Sequence, residues 1–394
     1  NATTANNTAV GRSALANNVA AGNTAVGKSA LAENTTGDEN TAVGSLALDA
    51  VTTGASNTAV GANAGSAATG ANGIFVGANA GKAVSTGAGN VAIGSACLEA
   101  QTTGANNVAI GLDAMKVSTT AYNNVCIGKG AGGALEGSYN NTFIGMLAGD
   151  ANTTAYSCTA VGYNAGSTLH GSGCTFVGEG AGYGVTGSGA YQNTSVGQSA
   201  LAGACDDFAN TAIGHQALVA STGARYSTAV GKGAGVAQTT GDYNTYVGAL
   251  SGDSVTTGTY NVFVGYGSGG ANTGTQNVFL GGNAGGAGGG GDGTNVVIGA
   301  DAGYTGDGAG GNTFVGYHAG LAISTGDLNT AVGYAAGDEI TSGSNNTFLG
   351  NNAGTADSPS GAITTGSNIV CFGDTAVTAA YVEIDAWTTS DERD

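Results

Sequence analysis

A glycine recurs along this chain every 16 or 17 residues, and each copy closes the same short phrase. Aligned on Asn-Thr-Ala-Val-Gly, these anchor glycines fall at positions 11, 27, 44, 61, 77, 94, 111, 128, 145, 162, 178, 197, 214, 231, 248, 265, 281, 299, 316, 333, 350 and 373. Longer steps of 19, 18 and 23 residues lead into Gly197, Gly299 and Gly373. A period this short is one supersecondary unit that cannot bury a face alone and must stack on its neighbours. The consensus, NTAVGxxA(L/G)xxxxTGxx, reads as two short extended segments separated by glycine-rich bends, with the backbone of each coil satisfied by the next. The expected fold is all-β, a parallel β-solenoid or β-roll with about 17 residues per coil. At about 4.8 Å per coil, such a stack would make a rod roughly 100 Å long.

Each repeat position has a reading. The residue before the anchor is aliphatic, as at Val10, Val43, Ile93, Ile144 and Leu280, with Phe372 in the last unit. A β-branched side chain once per coil suggests an inward stack, and this row is the expected core. The small residue three past the anchor, such as Ala30 or Ala148, permits close approach of two walls. It is followed by Leu (Leu31, Leu48, Leu98) or Gly (Gly65, Gly149, Gly320), and the glycine units suggest packing against another chain. Asn opens the phrase in 17 of the 22 units, which suggests turn capping or a ladder from coil to coil. Thr-Thr-Gly, as at Thr35-Thr36-Gly37, reads as a turn.

The residue two before the anchor shifts from Ala towards aromatics: Phe75, Phe143, Phe176, Tyr246, Phe263, Phe279, Phe314 and Phe348. Opposite in parity to the aliphatic row, it is expected to face outward and to form a surface buried between chains, in preference to a carbohydrate-binding track. Tyr163, Tyr266, Tyr317 and Tyr334, just past anchors, are candidates for a contact rim or ordinary edge packing.

The composition narrows the functions. There are 76 glycines, one proline, one Trp and two Met, so a thick core of large side chains is not available, and the glycines lack the three-residue period of collagen. The net charge of −18 opposes binding to nucleic acid or an anionic membrane surface. No apolar run approaches the length of a membrane span, so membrane insertion is not expected. Six cysteines in 394 residues do not make a disulfide scaffold. Cys97, Cys126 and Cys371 replace small or apolar residues, whereas Cys158 and Cys174 share one repeat position and are expected to stack as free thiols.

No motif suggests catalysis. The glycine run from Gly286 to Gly291 lacks the Lys-Ser/Thr of a phosphate loop. His170, His215 and His318 lie in different units. Asp38-Glu39, Asp206-Asp207 and Asp338-Glu339 offer oxygens to a structural Ca²⁺, but without an EF-hand or nonapeptide pattern they read as solvated turns, and no cofactor is expected. Paired carboxylates for glycoside hydrolysis are not conspicuous. An ice-binding threonine array is disfavoured because the strand Thr becomes Ile74, Val91, Val108, Val125 and Val262.

The organisation follows the repeat: a solenoid shaft over 1–356, an irregular final repeat over 357–373 with an insertion around Asp357-Ser358-Pro359-Ser360-Gly361, and a terminal segment over 374–394. Ala380 to Trp387 has a new pattern that looks like a terminal strand or cap.

The Asn-Thr-Ala-Val-Gly and Thr-Thr-Gly repeats resemble the glycine-rich tail-fibre and appendage proteins of bacteriophages, over residues 1 to about 373. Such fibres are commonly homotrimers that end in an endosialidase-type intramolecular chaperone. Thr389-Ser390-Asp391-Glu392-Arg393-Asp394 resembles the junction at which that chaperone begins. The resemblance makes Ser390 the serine of the self-cleavage junction, with Asp391 and Glu392 in its acidic motif. It implies a non-catalytic shaft in an extracellular virion appendage. The partners would be two identical chains, other tail or virion proteins, and a host-surface glycan or protein receptor. The repeat is also similar to the heads of trimeric bacterial surface adhesins, whose period is nearer 14 or 15 residues, and these are the alternative.

Overall fold

Thr-Ala-Val favours extended backbone, and each copy forms a strand of three residues. The computed structural model describes residues 6–168, 171–185, 190–203, 208–286, 293–305 and 309–378. The chain divides into two units, Asn1–Gly267 and Ser268–Asp394. The first carries sixteen strands, β1 (Thr8–Val10) through β16 (Val262–Val264); the second carries six, β17 (Val278–Leu280) through β22 (Val370–Phe372). Within each unit every strand pairs in parallel with the next, one repeat on, and equivalent positions meet. Thr8, Ala9 and Val10 lie opposite Thr24, Ala25 and Val26, and Phe279 lies opposite Val297. Both units are therefore parallel β-solenoids, as the 17-residue period predicts.

One expectation is reversed. The middle strand residue faces inward and the aliphatic residue before the anchor faces outward. Ala25, Phe75, Phe143 and Tyr246 are buried at 0–1% exposure, whereas Val43, Val60, Ile93 and Ile213 are 37–41% exposed. The parity follows from asparagine. Asn23 and Ala25 are two residues apart, hence on one face, and Asn23 is fully buried. A coil narrow enough for the asparagine ladder leaves little room beneath the strand, so its core is made of Ala.

Among the described residues the rest of each coil is turn and bend, apart from isolated parallel bridges such as Tyr122 to Tyr139, and the second extended segment that was expected is absent. After anchor Gly44, Leu46 and Leu48 have φ of 59° and 51°, and the peptide planes alternate in direction. The Leu46 N–H donates to the Lys28 carbonyl one coil back, and the Leu48 N–H donates to the Ala64 carbonyl one coil ahead, at 2.9 and 3.0 Å. This wall is thus hydrogen-bonded in both directions without a regular strand, as buried backbone requires. Left-handed φ costs an L-residue roughly 1–2 kcal/mol, which explains why Ser, Asn and Gly are frequent two past the anchor. The anchor needs glycine for two reasons. At Gly27 φ is +141°, and a Cβ there would collide with the Gly44 carbonyl.

The expected asparagine ladder is present. Asn40 Oδ1 accepts the Asn57 N–H at 2.9 Å, and Asn40 Nδ2 donates to the Gly54 carbonyl at 2.9 Å. The pattern continues at Asn90, Asn107, Asn124 and Asn141. A short amide supplies both donor and acceptor where strand and turn meet. Ser227 substitutes in the ladder: its Oγ accepts the Asn244 N–H and donates to the Gly241 carbonyl.

The aromatic residues two before the anchor, expected to be buried between chains, are instead buried in their own coil. Phe75 fills space left by Gly65 and Gly81, Tyr246 by Gly235 and Gly252, and Phe348 by Gly337 and Gly354. Each ring needs glycine four past the anchor in its own coil and in the coil before it. Where that position is Leu, as at Leu31, Leu48, Leu98 and Leu218, the middle strand residue of the same coil is Ala. The Leu/Gly alternation therefore adjusts the interior and does not mark contact with another chain.

Candidate functional site

With the rings inside, the solvent face of each unit is the sheet's other side. It presents two in-register columns, Thr, Val or Ile at the first strand position and Val, Ile or Leu at the third, with Phe372 in the last strand. In the first unit the third-position column runs from Val10 to Val264, and its members are half-buried or exposed at every coil. Sixteen successive aliphatic side chains make an apolar stripe along this face. Patches beyond about 300–600 Å² mark interaction surfaces.

A second feature of this unit was not anticipated. Six residues before the anchor stand Tyr122, Tyr139, Tyr156, Tyr191 and Phe208; five before it stand Tyr226, Tyr243 and Tyr260. Tyr122, Tyr139 and Tyr156 stack at centroid distances of 5.1 and 5.2 Å, with planes 8° and 7° apart. Tyr226, Tyr243 and Tyr260 stack at 5.1 and 4.9 Å. Phe208 meets Tyr191 and Tyr226 edge-on, at 74° and 69°. The signal was available in the repeat frame, since the rings fall into two adjacent repeat positions once the anchors are aligned. Beside them, Arg225 Nη2 meets Asp242 Oδ2 at 3.0 Å, an exposed pair of small energetic weight.

The column is interrupted at one coil. Between Tyr156 and Tyr191 stand Ser172 and Gly173, and the depression there is lined by these four residues with Ser157, Gln192 and Phe208. Ser172 is buried at its floor and accepts the Tyr156 N–H at 3.3 Å.

The other candidates are dispersed. Tyr163 and Tyr266 are exposed, and Tyr317 stacks on His318 at 3.8 Å and on Tyr334 at 5.3 Å. His318 Nε2 lies 3.8 Å from Asp301 Oδ2, and His215 is in the other unit. Asp38 and Glu39 form no metal cluster, and among the described residues no three His, Cys, Asp or Glu side chains converge on one point. Burial holds the Asp338 carboxyl above its ordinary value, and neighbouring Glu339 adds to the shift.

The five described cysteines are free and buried. Cys158 and Cys174 stack as the repeat predicts: Cys158 Sγ hydrogen-bonds the Gly171 carbonyl, and Cys174 Sγ the Ala190 carbonyl. Interaction with Cys174 lowers the Cys158 thiol and raises its partner's.

Cys205, His170, Asp206-Asp207, Ala287–Gly291, the 380–387 segment and the Ser390-Asp391-Glu392 junction lie outside the described residues. Among the described residues, no helix is long and apolar enough to cross a membrane. Compared with protein-family models and with curated proteins, the chain matches none.

Proposed function

We propose that this chain is the structural, non-catalytic shaft of a bacteriophage tail fibre or receptor-contacting appendage, assembled from three identical chains. The observation that carries the assembly is the outward Thr and Val/Ile columns. Burying these half-exposed aliphatic side chains against two copies would gain about 25 cal/mol for each Å² of apolar area removed from water. Recurring at every coil, the interface would be built from many small identical increments. The repeat resemblance, and the likeness of the chain end to a chaperone junction, support placing such a trimer in a virion.

Light scattering of the purified chain tests the assembly. The expected mass is three chains, falling to one when Val43, Val60 and Val76 are replaced together by Lys, with the β-sheet circular dichroism retained. A single-chain mass for the unaltered protein would remove the trimer. Electron microscopy of the same sample tests the fibre, which is expected to be a thin unbranched particle.

A further inference from the structure

We propose that the break in the tyrosine column at Ser172 is a binding slot for one hexopyranose ring of a glycan, packed on the free face of Tyr156 and bounded across the coil by Tyr191. Among Tyr122, Tyr139 and Tyr156, and again among Tyr226, Tyr243 and Tyr260, the ring faces of neighbours cover one another. Tyr156 is covered by Tyr139 on one side, at 5.2 Å and 7°. Its other side looks towards Ser172 and Gly173 of the next coil, neither of which carries a ring. Tyr191 bounds the slot across that coil.

The height of the slot selects the occupant. Tyr156 and Tyr191 are two coils apart, about 9.6 Å at the strand spacing of a sheet. A flat aromatic ring packed between two side chains needs only about 7 Å, two contacts of about 3.5 Å, and would leave a gap. A pyranose chair is thicker, because it carries hydrogens on both faces. These C–H groups are the apolar, weakly positive partners that the negative face of a tyrosine ring attracts. The polar groups suit the same ligand. Ser157 and Gln192 are exposed at the rim, within reach of a sugar's equatorial hydroxyls. Gly173 keeps the floor open, and the buried Ser172 is small enough to leave the volume free. An aromatic at position 172 would close the column, so the slot exists because one residue of the repeat is small.

This inference adds a contact site to the appendage reading, but it stands on the geometry of one chain whatever the number of copies. The test is saturation-transfer NMR on the full chain with the methyl glycosides of glucose, galactose, mannose and N-acetylglucosamine, and with phenol as the flat-ring control. Saturation of ring C–H protons on both faces of at least one glycoside is expected, with millimolar affinity. Ser172→Tyr, which fills the slot and extends the stack, should abolish the signal while leaving the protein folded and its oligomeric mass unchanged. Tyr156→Ala should weaken binding at least tenfold. Absence of signal with all four glycosides, a signal that survives Ser172→Tyr, or preference for phenol would each overturn the proposal. The light-scattering mass is a separate readout, so loss of the slot and loss of the trimer are distinguishable.

Discussion

The ring of Phe75 occupies the space that a side chain on Gly65 would need: a Cβ on that glycine would lie 2.7 Å from Phe75 Cδ2. The two residues belong to successive coils, so interior volume is shared between neighbours along the stack. Gly65→Leu should therefore destabilise the first unit by roughly 2–4 kcal/mol through overpacking and left-handed strain. Phe75→Ala should cost about 3–5 kcal/mol through the cavity left behind. Combined with Gly81→Leu, the two changes convert the coils to the Ala/Leu type seen at Ala42 and Leu48, and most of the loss should be recovered. Urea titrations of the single and triple variants check this, and strict additivity would refute shared volume.

The asparagine ladder gives a local prediction. Asn107→Ala leaves the Asn124 N–H without its partner at 3.0 Å, while the Ala121 carbonyl loses one bond at 2.8 Å and keeps the one from Gln101 Nε2. One buried orphaned donor should cost about 1–3 kcal/mol. Because repeat arrays open locally, the readout is hydrogen exchange. The Asn124 amide should lose protection first, and its unchanged exchange would count against the ladder as a stabilising element.

Thiol chemistry tests the inward parity of the coil. Burial pushes the Cys97 thiol up to about 12, so almost no thiolate is present at pH 8. Iodoacetamide should leave the Cys97 peptide unmodified in the native protein and label it fully in guanidinium, as read by mass spectrometry. Rapid native labelling would place this residue on the surface.

Acidification should stabilise the fold. Asp49, Asp150, Asp253 and Asp338 stand five past their anchors, and burial raises each carboxyl above the ordinary 3.8. A raised native pKa means that the folded state binds the proton more tightly. That contribution is fully present below 3.8 and is lost as the pH rises through the native value. Relief of the −18 net charge acts in the same direction. The exposed, hydrogen-bonded Asp374 carboxyl is lowered and opposes this only in stronger acid. The melting temperature should rise between pH 7 and about 4, and Asp49→Asn with Asp338→Asn should raise it at pH 7 and flatten the profile. A steady fall on acidification would contradict this account.

The coil was legible in the sequence because its period is strict. The recurrence of the anchor glycine implies one stacked unit per repeat, and the recurrent asparagine implies a ladder, whatever the surroundings. The interior face was misread because hydrophobicity favours Val43 over Ala42, while a strand's alternation fixes parity and says nothing of which side is enclosed. Tertiary structure settled that point through the width of the coil. The left-handed turns at Leu46 and Leu48 bring the opposing wall so close that a small side chain such as Ala42, Cys126 or Ser195 fits beneath the strand, or a larger one where glycine stands in two successive coils. The same closeness sends the aliphatic column to the solvent face. The tyrosine column lay in one repeat position from Tyr122 to Phe208, but the slot at Ser172 depends on coil spacing, a distance that exists only once the coils are stacked.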